Sequence, residues 1–422
     1  MADRSTTVLP GGELRVRGPG VTVAQPVVDE TRVVGVAIGI TGFLGYAQAR
    51  DGRSWPIQLS AEDQIDQALE LPEWGLLRPA LRSFFRNGGR VCMVVGLEAD
   101  AVHSPIGVIC GGGPGNRSGL TIFDLGENVE LLAFPDLYRV PPGATAPGMR
   151  HIVATHQAIT AFCSGLGGSS RGGYFAILDA PPGLNERQAS VYARKLSGSA
   201  TAEFASLYYP WLEVDSGRGE LMAIPPCGSV AGIYSEMSSP ASGGISSDKG
   251  PHQSVANRAL ADAISAQTHV SRAESWRLMD EGINPIIPWP GRGMTIWGAR
   301  TLSKDTNRNH VTVRRILSYV RRSIYLGTRW AVFEANNSIL WLRLTAYIQD
   351  FLERLRSAGV LIGATAEEAY SVRCDGTTNP TREVDAGRLN VLVAVRPTRS
   401  LEHIVVRIFH QRAQTSSDNK EE

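Results

Sequence analysis

A chain of 422 residues exceeds the roughly 250–300 at which a single core stops growing, so two or three domains are expected. With 43% hydrophobic and 20% charged residues it has the composition of an ordinary globular protein, and Lys+Arg 42 against Asp+Glu 41 leaves a formal charge of +1, which argues against a dedicated nucleic-acid binder. Five scattered cysteines (Cys92, Cys110, Cys163, Cys227, Cys374) fit reduced thiols rather than a disulfide framework. Met1 to Gly12 lacks a signal peptide's apolar core, and no run reaches the roughly 18–20 apolar residues a membrane span needs.

In chain order, residues 1–30 are polar and broken by Pro10, Gly11, Gly12, Gly18, Pro19, Gly20 and Pro26, so they cannot bury much alone and read as a tail or a pairing arm. Val33 to Phe43 reads as a buried strand, Ala61 to Leu71 and Pro79 to Asn87 as short amphipathic helices, and Val91 to Val95 as a strand covered on both faces. Gly88-Gly89 stops the second helix. Ser104 to Gly119 is a glycine-rich loop without the Lys-Ser/Thr ending of a phosphate loop. Strands at 130–135, 174–179 and 203–209 alternate with helices at 151–166 and 185–196, the pattern of a parallel, helix-covered sheet.

Ile224 to Tyr234 turns into a helix whose Gly228, Ala231 and Gly232 allow close approach to another backbone. From Gly282 to Ser303, Pro285, Pro288 and Pro290 enforce an extended lead-in, Gly291 to Gly293 a turn, and Met294 to Trp297 a strand. Two helices follow. The first carries the apolar stripe Val313, Ile316, Leu317, Val320 and Ile324, with Arg314, Arg315, Arg321 and Arg322 on the remaining surface; the second carries Leu344, Ile348, Phe351, Leu352 and Leu355 up to Gly359. A terminal hairpin is expected from Arg388–Val395 and Ile404–Phe409, before a disordered tail at 411–422.

Catalytic signals are thin. Gly168-Ser169-Ser170-Arg171-Gly172 satisfies G-x-S-x-G, nominating Ser170, but a helix enters and a strand leaves, the reverse of a nucleophile elbow. His151 and His156 are five apart, so they share no helix face, and neither has a partner at metal-ligand spacing. No enzyme activity, cofactor or metal is expected.

Several segments carry a more specific signal: Arg17-Gly18-Pro19-Gly20-Val21-Thr22-Val23, the junction Phe84 to Cys92, Pro225 to Tyr234, Gly291-Arg292-Gly293 with Trp297 to Ser303, and Trp330-Ala331-Val332-Phe333-Glu334 with Asn336. Together they resemble the contractile tail sheath proteins of phages, R-type bacteriocins and contractile injection systems. The resemblance runs from about Gly18 to Phe409. It implies an α/β, multi-domain fold: an arm (1–30), an N-terminal α/β part (31–110), a subtilisin-like central α/β domain without a triad (111–283), a C-terminal α+β sheath domain (284–410) and extended terminal arms. It also implies stacked hexameric rings around an inner tube protein, contacts with baseplate and cap proteins and with paralogous sheath subunits, assembly in the cytoplasm, and neither nucleic acid nor membrane insertion.

On that resemblance, Val16, Pro19, Gly20, Val21 and Val23 form an intersubunit arm, and Val391, Val393, Val395, Ile404, Val406 and Ile408 an acceptor hairpin. Arg314, Arg315, Arg321 and Arg322 are candidate tube contacts. Alternatives are an α/β serine hydrolase using Ser170 and a non-contractile structural tail protein.

Overall fold

The computed structural model describes residues 39–399, apart from 53, 99–108, 110–117, 126–128, 167–168, 170–171, 218 and 239–249. Its frame is a nine-stranded sheet. The strands in chain order are β1 (Ile40–Tyr46), β2 (Gln48–Ala49), β3 (Ile57–Leu59), β4 (Leu69–Glu70), β5 (Cys92–Leu97), β6 (Val129–Ala133), β7 (Phe175–Asp179), β8 (Ala205–Tyr209), β9 (Leu212–Asp215), β10 (Leu221–Ile224), β11 (Arg258–Ala259), β12 (Ala263–Ala266), β13 (Ile283–Trp289), β14 (Gly293–Ile296), β15 (Tyr370–Arg373) and β16 (Leu392–Val395).

The large sheet has the order β11-β14-β13-β8-β7-β6-β1-β5-β3. Its six central strands are parallel, and β3, β14 and β11 add antiparallel edges. Continuous apolar runs such as Phe175-Ala176-Ile177-Leu178 suit strands buried on both faces, and every residue of β6, β7 and β8 is buried. The boundaries expected at 110/111 and 283/284 therefore fall inside one sheet, since strands from both sides of each boundary pair within it. Of the strand expected at 33–43, residues 33–38 lie outside the described residues and the described part runs on from Ile40 to Tyr46; the helix expected at 61–71 shrinks to Gln64–Ala68, after which Leu69–Glu70 is extended.

Helices cover both faces: α1 (Gln64–Ala68), α2 (Leu77–Arg86), α3 (Met149–Ser164), α4 (Glu186–Ser197), α5 (Cys227–Ser238) and α6 (Arg272–Asp280). Two apolar cores result, one holding Phe162, Tyr174, Tyr192 and Leu207, the other Phe43, Phe84, Tyr208 and Tyr234. Gly228 and Gly232 let α5 lie on α2 as expected, because a Cβ at either would sit 2.3 Å from Ala80 O or 2.5 Å from Phe84 O. A small sheet, β10-β9-β12, flanks the second core through Leu212, Val214 and Ile224.

The stretch expected to bridge two domains is the hairpin β13–β14. Gly291 and Gly293 take φ of 74° and 76° at its turn, and Trp289 stacks on Trp297 at 4.5 Å with the Arg272 guanidinium over Trp289. Asn284, fully buried, fastens it: Nδ2 donates to Leu207 O and Arg300 O, and Oδ1 accepts from Arg300 N.

Beyond the hairpin, α7 (Val311–Gly327) and α8 (Ser338–Ser357) pack through Ile316, Tyr319 and Val320 against Ile348, Phe351, Leu352 and Leu355. The predicted stripe of α8 is buried residue for residue, and Gly359 ends it at φ 74°. β16 pairs with β15; residues 404–409, its expected hairpin partner, lie outside the described residues.

Candidate functional site

In open α/β sheets, ligands bind beyond the carboxyl ends of the strands where the strand order reverses. Here the reversal lies at β1, between β5 and β6. Asp136, just past β6, fills that position. Its carboxylate accepts from Tyr46 N at 2.7 Å, from Leu77 N at 3.0 Å and from Leu76 N, so the start of α2 is capped from within the chain. Burial pushes the Asp136 carboxyl up to about 6, against these N–H bonds.

A second buried acid ends β7. Asp179 Oδ1 accepts from Cys227 N at 2.8 Å at the start of α5, and burial raises its pKa to about 7. Beside it, Tyr138 OH donates to Asp179 O, His156 Nδ1 lies 2.7 Å from Tyr192 OH, and burial lowers His156 to about 3, holding a neutral imidazole. Acid, imidazole and phenols meet, but Asp179, His156 and Tyr192 are sealed in the core with Tyr138 half-buried beside them, and the cluster serves packing and capping. Ser170 lies outside the described residues; its neighbour Ser169 donates Oγ–H to Asp124 Oδ1 and accepts from Gly172 N.

Arg314 and Arg315 of α7 do not lie on the solvated face the sequence suggests. Arg315 is 2% exposed: Nη2 donates to Ser238 Oγ at 2.7 Å, Nη1 to Gln253 O at 2.9 Å, and the guanidinium lies 5.3 Å from the Tyr234 ring centroid. Arg314 pairs with Glu203 at 3.5 Å and stacks over Phe204 at 4.5 Å. As tube contacts both are therefore corrected. They point at the α/β domain, where the buried carboxylate of Glu130 needs compensating charge. Burial pushes Glu130 up, opposed by Arg315, by the N–H of Gly39 donating at 2.6 Å, and by Arg322 and Arg314. The period of α7 shows a polar stripe but not what it faces, so sequence could not separate an inward from an outward arginine.

Arg321 and Arg322 lie farther along α7, on a cleft of about 370 Å³ lined also by Asp124, Glu130, Ser318 and Tyr325. Arg321 is exposed and lies across Gly173, where a Cβ would sit 2.3 Å from Nη1. Val391, just before β16, and Val393 and Val395 within it pack on the helix pair; Val16, Pro19, Gly20, Val21, Val23, Ile404, Val406 and Ile408 lie outside the described residues.

Sequence reasoning missed an exposed apolar patch at the other end of this module. Phe333 is 103% exposed with φ 74°, and Val332, Ile339 and Leu342 are exposed beside it in sequence. Trp330 carries Arg343 at 4.7 Å and meets Tyr347 edge-on at 5.3 Å. A second patch lies on the small sheet, with Leu221 58% and Ile264 59% exposed.

Residues 303–411 match the phage tail sheath C-terminal domain family. Tail sheath proteins are also what the chain resembles at the level of sequence. It is 23% identical over 187 residues to the tail sheath protein of Vibrio phage KVP40, and 23% over 148 residues to that of Enterobacteria phage T4. These alignments take in 43% and 35% of this chain but only 26% and 22% of those longer proteins. A putative prophage major tail sheath protein of Pseudomonas aeruginosa (strain UCBPP-PA14) is 24% identical over 88% of this chain and 90% of its own.

The fold matches chains in the contracted helical sheath of the anti-feeding prophage (TM-score 0.70, 24% identity, 94% of this chain and 100% of that one) and in the contracted sheath complex of PVC, an extracellular contractile injection system (0.67, 24%, 95% and 99%). Among the described residues, no helix is long and apolar enough to cross a membrane.

Proposed function

We propose that this chain is a structural subunit of a contractile sheath, in a phage-like tail or an injection system. It polymerises as stacked hexameric rings around an inner tube and shortens to drive the tube through a target envelope. One observation carries this reading: the fold agrees over nearly the full length of both chains with subunits of contracted sheaths. The plugged carboxyl ends of the parallel strands support it, because the usual ligand position of such a sheet is taken by Asp136. The subtilisin-like description of the α/β domain rests on the family resemblance and on the helix-covered parallel sheet.

Its partners would be further copies of itself, paralogous sheath subunits, an inner tube protein, and baseplate and cap proteins, in a particle assembled in the cytoplasm. Arms from residues 1–30 and beyond 400 would add strands to neighbouring sheets, since an open strand edge offers main-chain bonds to an extended segment. Of the four arginines first nominated for the tube, Arg321 is the exposed one.

Electron microscopy of the native particle before and after triggering tests the proposal. A tube-wrapping lattice of this chain with a long and a short state is expected, and a fixed-length lattice would favour a non-contractile tail protein. Deleting residues 1–16 should leave folded monomers that no longer polymerise. Normal polymers would remove the arm from the mechanism.

A further inference from the structure

Two exposed apolar patches among the described residues are complementary in chemistry. The first centres on Phe333, between α7 and α8. A bulky residue rarely takes a positive φ, because Cβ crowds the backbone, yet Phe333 holds φ 74° and its whole side chain stands in solvent. Ile339 and Leu342, three apart on the first turns of α8, share one exposed face. The flanking charges are net basic: Arg343 lies on Trp330 and Arg329 lies 5.1 Å over Tyr325, both reaching the surface, against one exposed acid, Glu334, next to Phe333.

The second patch lies on the outward face of the β10-β9-β12 sheet. Leu212, Val214 and Ile224 point inward, so by strand alternation Leu221, Glu213 and Asp215 point outward, and Leu221 sits directly opposite Asp215. Ile264 lies at the register shift of β12 and is exposed. Glu220, also exposed, precedes Leu221. Here an apolar centre carries an acidic rim.

We infer that the basic-rimmed Phe333 knob of one copy docks on the acidic-rimmed Leu221–Ile264 face of the next. This rests on the reading of the chain as a self-polymerising subunit. Opposite rims on one chain make the contact heterologous, and a heterologous contact that does not close builds an open helix. Desolvated aromatic anchors dominate such interfaces, and rim charges set register and exclude wrong partners.

The test uses two full-length variants, Phe333→Glu and Leu221→Arg, each checked for folding by its thermal melt. Each alone should self-associate at least about tenfold more weakly than the unaltered chain. Mixed, they keep one good patch each and should form a 1:1 heterodimer that stops there, read by analytical ultracentrifugation. The exchange Arg343→Asp with Asp215→Arg in one chain should restore association that each change alone weakens. Three outcomes overturn the inference: variants that associate like the unaltered chain, a mixture that stays monomeric, or an exchange that restores nothing. A Phe333→Glu chain that polymerises normally but no longer holds a tube also overturns it and assigns the knob to the tube. The sheath reading is scored separately, by micrographs of co-expressed particles, and stands or falls without this contact.

Discussion

Asp179 and Arg315 are charges taken out of water for structural reasons, and each has a measurable signature. The folded-state pKa of Asp179 is raised from 3.8 to about 7, so its contribution to stability is fully present below about pH 4 and is lost as pH rises through 7. Asp179→Asn keeps an acceptor for Cys227 N and cannot ionise. Thermal melts from pH 4 to 8 should therefore show a shallower fall for Asp179→Asn than for the parent, with the variant the more stable above pH 7. A parallel pair of curves would mean that Asp179 does not titrate in this window. Arg315→Met should destabilise by about 3–5 kcal/mol, because it strips the compensating charge from buried Glu130. Arg321→Ala, at the surface, should cost under ~1 kcal/mol, with both arginine variants compared by urea titration.

Among the elements, α2 and α5 show how tightly the second core is drawn. Gly232→Ala places a methyl 2.5 Å from Phe84 O, where only backbone movement can relieve it, so a loss of about 1–3 kcal/mol is expected by denaturant unfolding. That close approach was legible in the sequence, since small residues at Gly228, Ala231 and Gly232 have few other uses. The stripe of α8 was legible for the same kind of reason: Leu344, Ile348, Phe351, Leu352 and Leu355 share one helix face. The hairpin β13–β14 was half legible. Pro285 and Pro288 declare extended backbone, but nothing local says that the partner strand β8 ends at Tyr209, so an inner strand read as a bridge. α6 went unread although Ser271 and Glu274 form a capping box, with Ser271 Oγ accepting from Glu274 N and Glu274 from Ser271 N. The Phe333 patch had no signal beyond its letters, because a strained backbone is invisible to periodicity.

Across the whole molecule, the α/β domain and the helical module share a core and buried polar contacts. Val311 at the start of α7 belongs to the core that holds Phe84 and Tyr234, and Arg314 and Arg315 reach Glu203 and Ser238 on the domain. Calorimetry of the monomer should give one transition whose calorimetric and van't Hoff enthalpies agree, with Arg315→Met lowering it as a whole. Two resolved transitions would show that α7 is a loose hinge rather than part of the frame.

The place of β13 also orders events during synthesis. The parallel array is complete only when Ile283 pairs with Leu207, and the intervening chain has already supplied α5, the small sheet and α6. Until residue 289 has left the ribosome, β8 presents an open, apolar strand edge, the kind that captures a neighbouring chain. The residues that close it come just before those that build the Phe333 knob. A nascent chain thus buries its own edge before the Phe333 segment is made, and a stall between the two would yield a molecule that is folded at its centre and carries the Leu221–Ile264 face without the knob.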